Sequence, residues 1–218
     1  MRRPVFEDRR SAGVLLGAEV AKANLVSPVV LGLPRGGVPV AAPVAEAIRA
    51  PLDVIVVRKL GVPDQPELAM GAIGENGIII VNNDVVSATR VGNDVFGKVE
   101  RREREVLDRS VSSIRAVRPR VDLGGCCAVI VDDGIATGAT IRAAIQVARA
   151  NDAQFVVVAT PVAPAEVVET LRASADSVVC LAQPDPFGSV GRWYADFDAV
   201  SQAEVLELLA GPKGPMPR

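Results

Sequence analysis

Asp132 and Asp133 close the apolar run at residues 128–131 and are followed by Gly134-Ile135-Ala136-Thr137-Gly138-Ala139-Thr140. An adjacent carboxylate pair can accept hydrogen bonds from vicinal hydroxyls or hold a hard cation. The loop behind it has the opposite preference. Gly134 and Gly138 let backbone amides turn inward, and Thr137 and Thr140 add hydroxyl donors, so the loop suits an anion. Ile141, Ala144, Ile145 and Ala148 then recur at helical spacing. A helix opening near Gly138 points the positive end of its dipole at the same loop. Acceptors at one end and a phosphate cradle at the other match a ribose 5-phosphate.

To present these groups, residues 128–131 must form a strand covered on both faces, ending at the carboxyl edge of a parallel sheet where ligands bind. Two more stretches reach that edge. Leu33-Pro34-Arg35-Gly36-Gly37-Val38 follows an apolar strand at residues 28–33 and precedes a helix opening near Pro39. Arg35 offers a bidentate fork to phosphate oxygens, and Gly36 and Gly37 let amides approach them. Arg58-Lys59 closes a strand expected at residues 53–58. From 60 to 77 the apolar rhythm fails, with Pro63, Pro66 and four glycines, and the interval reads as a mobile loop carrying Glu67 and Glu75. A strand resumes at 78–81.

The stretch from 128 to 140 resembles the phosphoribosyl pyrophosphate signature of type I phosphoribosyltransferases: a hydrophobic strand, two acids, two variable residues, then a loop close to Ala/Asp-Thr-Gly-x-Thr. The resemblance implies an α/β fold, an open parallel sheet of about five strands with helices on both faces. It implies a single domain over residues 1–218, with a core at about 28–182 and a small hood from about 1–25 and 183–210. The implied reaction moves a 5-phosphoribosyl group from phosphoribosyl pyrophosphate to a nucleobase-like nitrogen acceptor and releases pyrophosphate.

Under that resemblance Asp132 and Asp133 hold the ribose hydroxyls and Mg²⁺, and Ala136, Thr137, Gly138, Ala139 and Thr140 hold the 5-phosphate. Arg35, Gly36, Gly37, Arg58 and Lys59 take the pyrophosphate, with a non-proline cis peptide at or one bond from Pro34–Arg35. Glu75 is the nearest match to the catalytic glutamate that adenine phosphoribosyltransferases place on a lid loop. Ile135, Trp193 and Tyr194 are the candidates for contacting the base. Trp193 and Tyr194 could equally dock the C-terminal segment onto the core, and both readings stand. A non-catalytic sensor of phosphoribosyl pyrophosphate on the same fold is the alternative function.

Composition narrows the classes. The chain has 218 residues, 49% apolar, enough for a sizeable core. A formal charge of −2 and 3% aromatic residues leave no nucleic-acid footprint. Apolar runs are too short to span a bilayer, and Arg2 and Arg3 precede no apolar segment, so the cytoplasm is expected. Three cysteines make no disulfide framework, and the absence of histidine leaves chemistry to carboxylates, Lys, Arg and hard metal ions. No G-x-x-x-x-G-K motif followed by Ser or Thr occurs. A homodimer is compatible with this reading.

Helices are further expected at residues 9–23, 93–116, 165–172 and 203–209, strands at 155–159 and 177–181, and a frayed end from 211. The charged run from Arg101 to Glu105 reads as a solvated helix face. Only Arg102 lies on the stripe of Val95, Val99 and Val106, which would turn it inward or toward a partner.

Overall fold

The structure, a computed structural model, describes residues 4–211. Arg2, Arg3 and the tail from 212 lie outside the described residues. Helix α1 (Arg9–Ala21) is followed by β1 (Pro28–Gly32), α2 (Gly37–Ile48) and β2 (Leu52–Val54). After an antiparallel insertion come β6 (Cys127–Val131), α5 (Ala139–Ala150), β7 (Phe155–Val162), α6 (Ala165–Arg172) and β8 (Ser177–Ala182). The strands form a five-stranded sheet in the order β2-β1-β6-β7-β8, with every neighbouring pair parallel.

Side chains alternate across each strand, so a strand buried on both sides must be apolar throughout. Val29, Leu31, Ala128 and Ile130 pack under Ile141, Ala144 and Ile145 of α5 and Val168 and Leu171 of α6. Val30, Val129 and Val131 face the other way, onto Leu16 and Val20 of α1 and Val40 and Val44 of α2. The register pairs Pro28 with Cys127 and Gly32 with Val131, so β1 and β6 end side by side. From those ends the chain departs in opposite directions, to β2 on one side and to β7 on the other. This is the switch point at which an open sheet leaves a crevice.

The strand expected at 53–58 is corrected: it breaks after Val54. Val57–Val62 (β3) pairs with β4 (Gln65–Gly74), and β4 pairs with β5 (Ile79–Val81), in a separate antiparallel sheet. The mobile loop expected at 60–77 is therefore a hairpin. Its glycines serve close strand approach. A Cβ on Gly61 would lie 2.6 Å from the Pro66 carbonyl oxygen, and one on Gly71 would lie 2.4 Å from that of Ile80. The register shifts at Gly61 mask the alternation that would have marked the strand. Leu60, Val62, Met70 and Ile73 are buried under Leu107 and Ile114 of α4 (Asn93–Arg115) and Val205 and Leu209 of α7 (Gln202–Ala210).

A short helix, α3 (Asn83–Thr89), capped by the Asn82 side chain, was not expected from the sequence. On α4 the inward polar residue is Glu103, not Arg102, which is largely exposed. The two ends of the chain meet: Phe6 bridges Tyr194, and Phe6, Ala12, Val162, Trp193 and Tyr194 form a small apolar cluster. Among the described residues no helix is long and apolar enough to cross a membrane.

Candidate active site

The crevice lies where β1 and β6 end. Leu33 N–H donates to the Val131 carbonyl at 2.9 Å, extending the pairing past both strands, and the Pro34–Arg35 peptide that follows is cis. The two loops then touch. A Cβ on Gly36 would stand 2.1 Å from Asp133 Oδ2, and one on Gly37 would stand 2.5 Å from the Val131 carbonyl oxygen and 3.0 Å from Asp132 Cα. At Gly37 only glycine avoids the facing backbone, and at Gly36 any side chain would displace the Asp133 carboxylate, so the missing side chains let the first loop lie against the acids. Arg35 is exposed beside them.

Asp132 Oδ1 accepts the Asp133 N–H at 3.0 Å. Arg9 Nε donates to Asp133 Oδ2 at 2.7 Å, and the Tyr194 hydroxyl donates to the Asp133 carbonyl at 2.5 Å. Burial, reinforced by the charge of Asp133, holds the Asp132 carboxyl well above the usual carboxylate range. Burial also raises Asp133, with Arg9 opposing. Protons on such a pair give way to a cation, and the donor set is all oxygen, which fits Mg²⁺. Among the described residues no three His, Cys, Asp or Glu side chains gather to hold a metal ion.

Beyond the acids, Ala136 and Thr137 are exposed, Gly138 takes a left-handed φ of 71° as N-cap of α5, Ala139 is half-buried and Thr140 exposed. No side chain caps α5, so its first amides open onto this loop. The structure thus brings together Arg35, Gly36, Gly37, Asp132, Asp133 and residues 136–140.

Other expected residues are placed elsewhere. Arg58 belongs to β3 of the second sheet, and its Nε and Nη2 donate to Glu103 Oε2 at 2.9 and 2.6 Å. Lys59 follows it on β3, half-buried and registered with Ala72. Glu75 is not open above the acids: Arg115 Nε and Nη2 each reach one of its carboxylate oxygens at 2.8 Å. Ile135 is buried in the core among α5 and α6 residues, its N–H donating to the Val162 carbonyl. Trp193 and Tyr194 are also buried. Trp193 Nε1 donates to the Phe187 carbonyl at 3.0 Å, and Tyr194 packs against Phe6 and Phe197 with ring centroids 5.4 and 5.0 Å apart. Both aromatics dock the C-terminal segment onto the core, with the Trp193 ring nitrogen and the Tyr194 hydroxyl hydrogen-bonded and both side chains buried. Arg9 was missed, since its partner lies 124 residues away and nothing local distinguishes it from Arg10.

A family model described as the phosphoribosyl transferase domain matches residues 15–195. The chain belongs to that family. Two phosphoribosyl transferase relatives from strains of Mycobacterium tuberculosis, each carrying the name Putative phosphoribosyl transferase, are 51% identical over 205 residues, which is 94% of this chain and 46% of each relative. The chain therefore spans about half the length of the curated relatives it matches. The crystal structure of TT1426 from Thermus thermophilus superposes with a TM-score of 0.89 at 42% identity, covering 96% of this chain and 98% of that one. This phosphoribosyl transferase domain thus matches that protein along nearly the whole of both chains.

Proposed function

We propose that the chain catalyses transfer of a 5-phosphoribosyl group from phosphoribosyl pyrophosphate to a nitrogen of a heterocyclic acceptor. The observation that carries this reading is the contact of Gly36 with Asp133, which sets a phosphate-binding backbone loop directly against a hydroxyl-binding acid pair. Asp132 and Asp133 accept from the ribose hydroxyls, residues 136–140 with the α5 amides bind the 5-phosphate, and Arg35 with the Gly36 and Gly37 backbone draws on the pyrophosphate. Lys59 on β3 adds a second cation for that charge. Mg²⁺ would be held by Asp132, Asp133 and substrate oxygens, and it would neutralise the leaving pyrophosphate. The bond from ribose C1 to the pyrophosphate oxygen breaks, a bond from C1 to the acceptor nitrogen forms, and the proton that nitrogen carried passes to the departing pyrophosphate or to solvent.

The test is a panel of bases incubated with phosphoribosyl pyrophosphate and Mg²⁺, with released pyrophosphate measured. Base-dependent release is expected; release independent of base, or none, would overturn the reading. One observation favours a second reading, a phosphoribosyl pyrophosphate sensor. Both oxygens of Glu75 are held by Arg115, so the hairpin supplies no unpaired glutamate at that position. Tight ligand binding with no turnover on any base would select it.

A further inference from the structure

We propose that Arg9 is a positioning residue for Asp133, fixing one oxygen of that carboxylate so that the other is presented to a ribose hydroxyl; this rests on the function proposed above. Arg9 lies in the first turn of α1, far in sequence from the signature, yet its side chain is only 12% exposed. Its guanidinium is held at three points. Nε donates to Asp133 Oδ2 at 2.7 Å, Nη1 donates to the Asp198 carbonyl at 2.7 Å, and Cζ stands 3.8 Å above the centre of the Phe197 ring.

A planar fork can satisfy two acceptors and a ring face together, whereas an ammonium cannot keep that arrangement. The oxygen it holds is hemmed in on another side by Gly36, whose Cβ would fall 2.1 Å from the same Oδ2. The backbone of Asp133 is fixed as well, by the Tyr194 hydroxyl on its carbonyl. Rotation of the carboxylate would break the Arg9 bond or collide with the loop. Oδ1 is left as the acceptor for ligand. Arg9, Tyr194, Phe197 and Asp198 come from the two ends of the chain, so the terminal hood acts here on the geometry of one acid rather than on the base.

The experiment uses the whole chain and measures affinity for phosphoribosyl pyrophosphate with Mg²⁺ by calorimetry, alongside steady-state constants, for Arg9→Gln, Arg9→Lys, Asp133→Asn and the double variant Arg9→Gln with Asp133→Asn. Loss of an outer partner of this kind costs about 10- to 100-fold in affinity. We expect Arg9→Gln to raise KM for phosphoribosyl pyrophosphate by that factor while leaving KM for the acceptor unchanged, and Arg9→Lys to recover part of the loss. In the Asp133→Asn background Arg9→Gln should add nothing, because the two act as one unit. An equal loss in both backgrounds overturns the proposal, as does a fall in kcat with unchanged KM, which marks only a smaller folded fraction. If the wild-type chain binds no phosphoribosyl pyrophosphate, the function proposed above fails, and this inference falls with it.

Discussion

Arg115 grips both carboxylate oxygens of Glu75 at 2.8 Å and, with its remaining nitrogen, Asp53 at 2.7 Å. Burial works against the guanidinium, but the hydrogen bonds it donates to Glu75 and Asp53 prevail and raise its pKa further. The triad ties the end of α4 to the hairpin and to β2. Removing one partner of a buried ion pair strands the other charges and costs about 3 to 5 kcal/mol. Arg115→Met should lose that much stability in urea titration. Glu75→Gln, by contrast, should leave kcat within about threefold, because general acid-base help is worth about 10² to 10⁴. A loss of that size in a well-folded Glu75→Gln protein would restore Glu75 to the chemistry.

Asp132→Asn should stabilise the ligand-free protein and lower turnover. The folded-state pKa of Asp132 is raised by burial and by Asp133, so its contribution to stability is present at low pH and is lost as pH rises through that raised value. At neutral pH the carboxylate is a cost that asparagine removes. About 1 kcal/mol corresponds to roughly 2 to 4 °C in Tm for a chain this size. With Asp133→Asn added, turnover should fall by at least about 100- to 1000-fold. A double variant keeping a tenth of the wild-type rate would remove both acids from the mechanism.

Gly36→Ala should separate the two loops. Its Cβ would lie 2.1 Å from Asp133 Oδ2, so either the acid or the loop must move. Binding of phosphoribosyl pyrophosphate should weaken by more than about 100-fold, as expected when a positioned group shifts by an ångström. Calorimetry reads this directly, and unchanged affinity would show that the contact has no bearing on the ligand.

Arg58 holds Glu103, so Arg58→Ala should act on stability. Burial would raise the Glu103 carboxyl, but hydrogen bonds from Arg58 and Arg102 outweigh it and keep the pKa below its ordinary value. A depressed folded pKa gives stability that is present above the unfolded value, near 4.5, and is lost as pH falls through the folded one. Arg58→Ala should cost about 1 to 2 kcal/mol at pH 7, with the difference shrinking toward acid pH. Chemical denaturation at a series of pH values checks both. A specific rise in KM for phosphoribosyl pyrophosphate would return Arg58 to the site.

We propose that Ala136 bears on the acceptor. In hypoxanthine-guanine phosphoribosyltransferases an aspartate opens the phosphate loop and exchanges a proton with the 6-oxopurine ring; alanine cannot. Hypoxanthine and guanine should therefore react more slowly than a 6-aminopurine or another base needing no acid there. Hypoxanthine turning over fastest in the panel would exclude this role for Ala136.

The sequence by itself determined the parallel sheet and the two loops at its switch point. A short, β-branched apolar run such as residues 128–131, bounded by Asp and Gly, suits a strand buried on both faces, and glycine beside aspartate at the strand end leaves the backbone open. It also determined the helix after Gly138, whose stripe of Ile141, Ala144, Ile145 and Ala148 is buried as spaced. Only the tertiary structure decided the rest. Whether Leu60 to Gly74 is a loop or a hairpin depends on α4 and α7 covering Leu60, Met70 and Ile73, and its bulged register hides the alternation. The partners that Arg58, Glu75 and Tyr194 take lie 45, 40 and 61 residues away, at Glu103, Arg115 and Asp133. Charged groups are claimed by whichever opposite charge the fold brings near, because leaving one buried and unpaired costs several kcal/mol. Spacing along the chain carries no record of that competition.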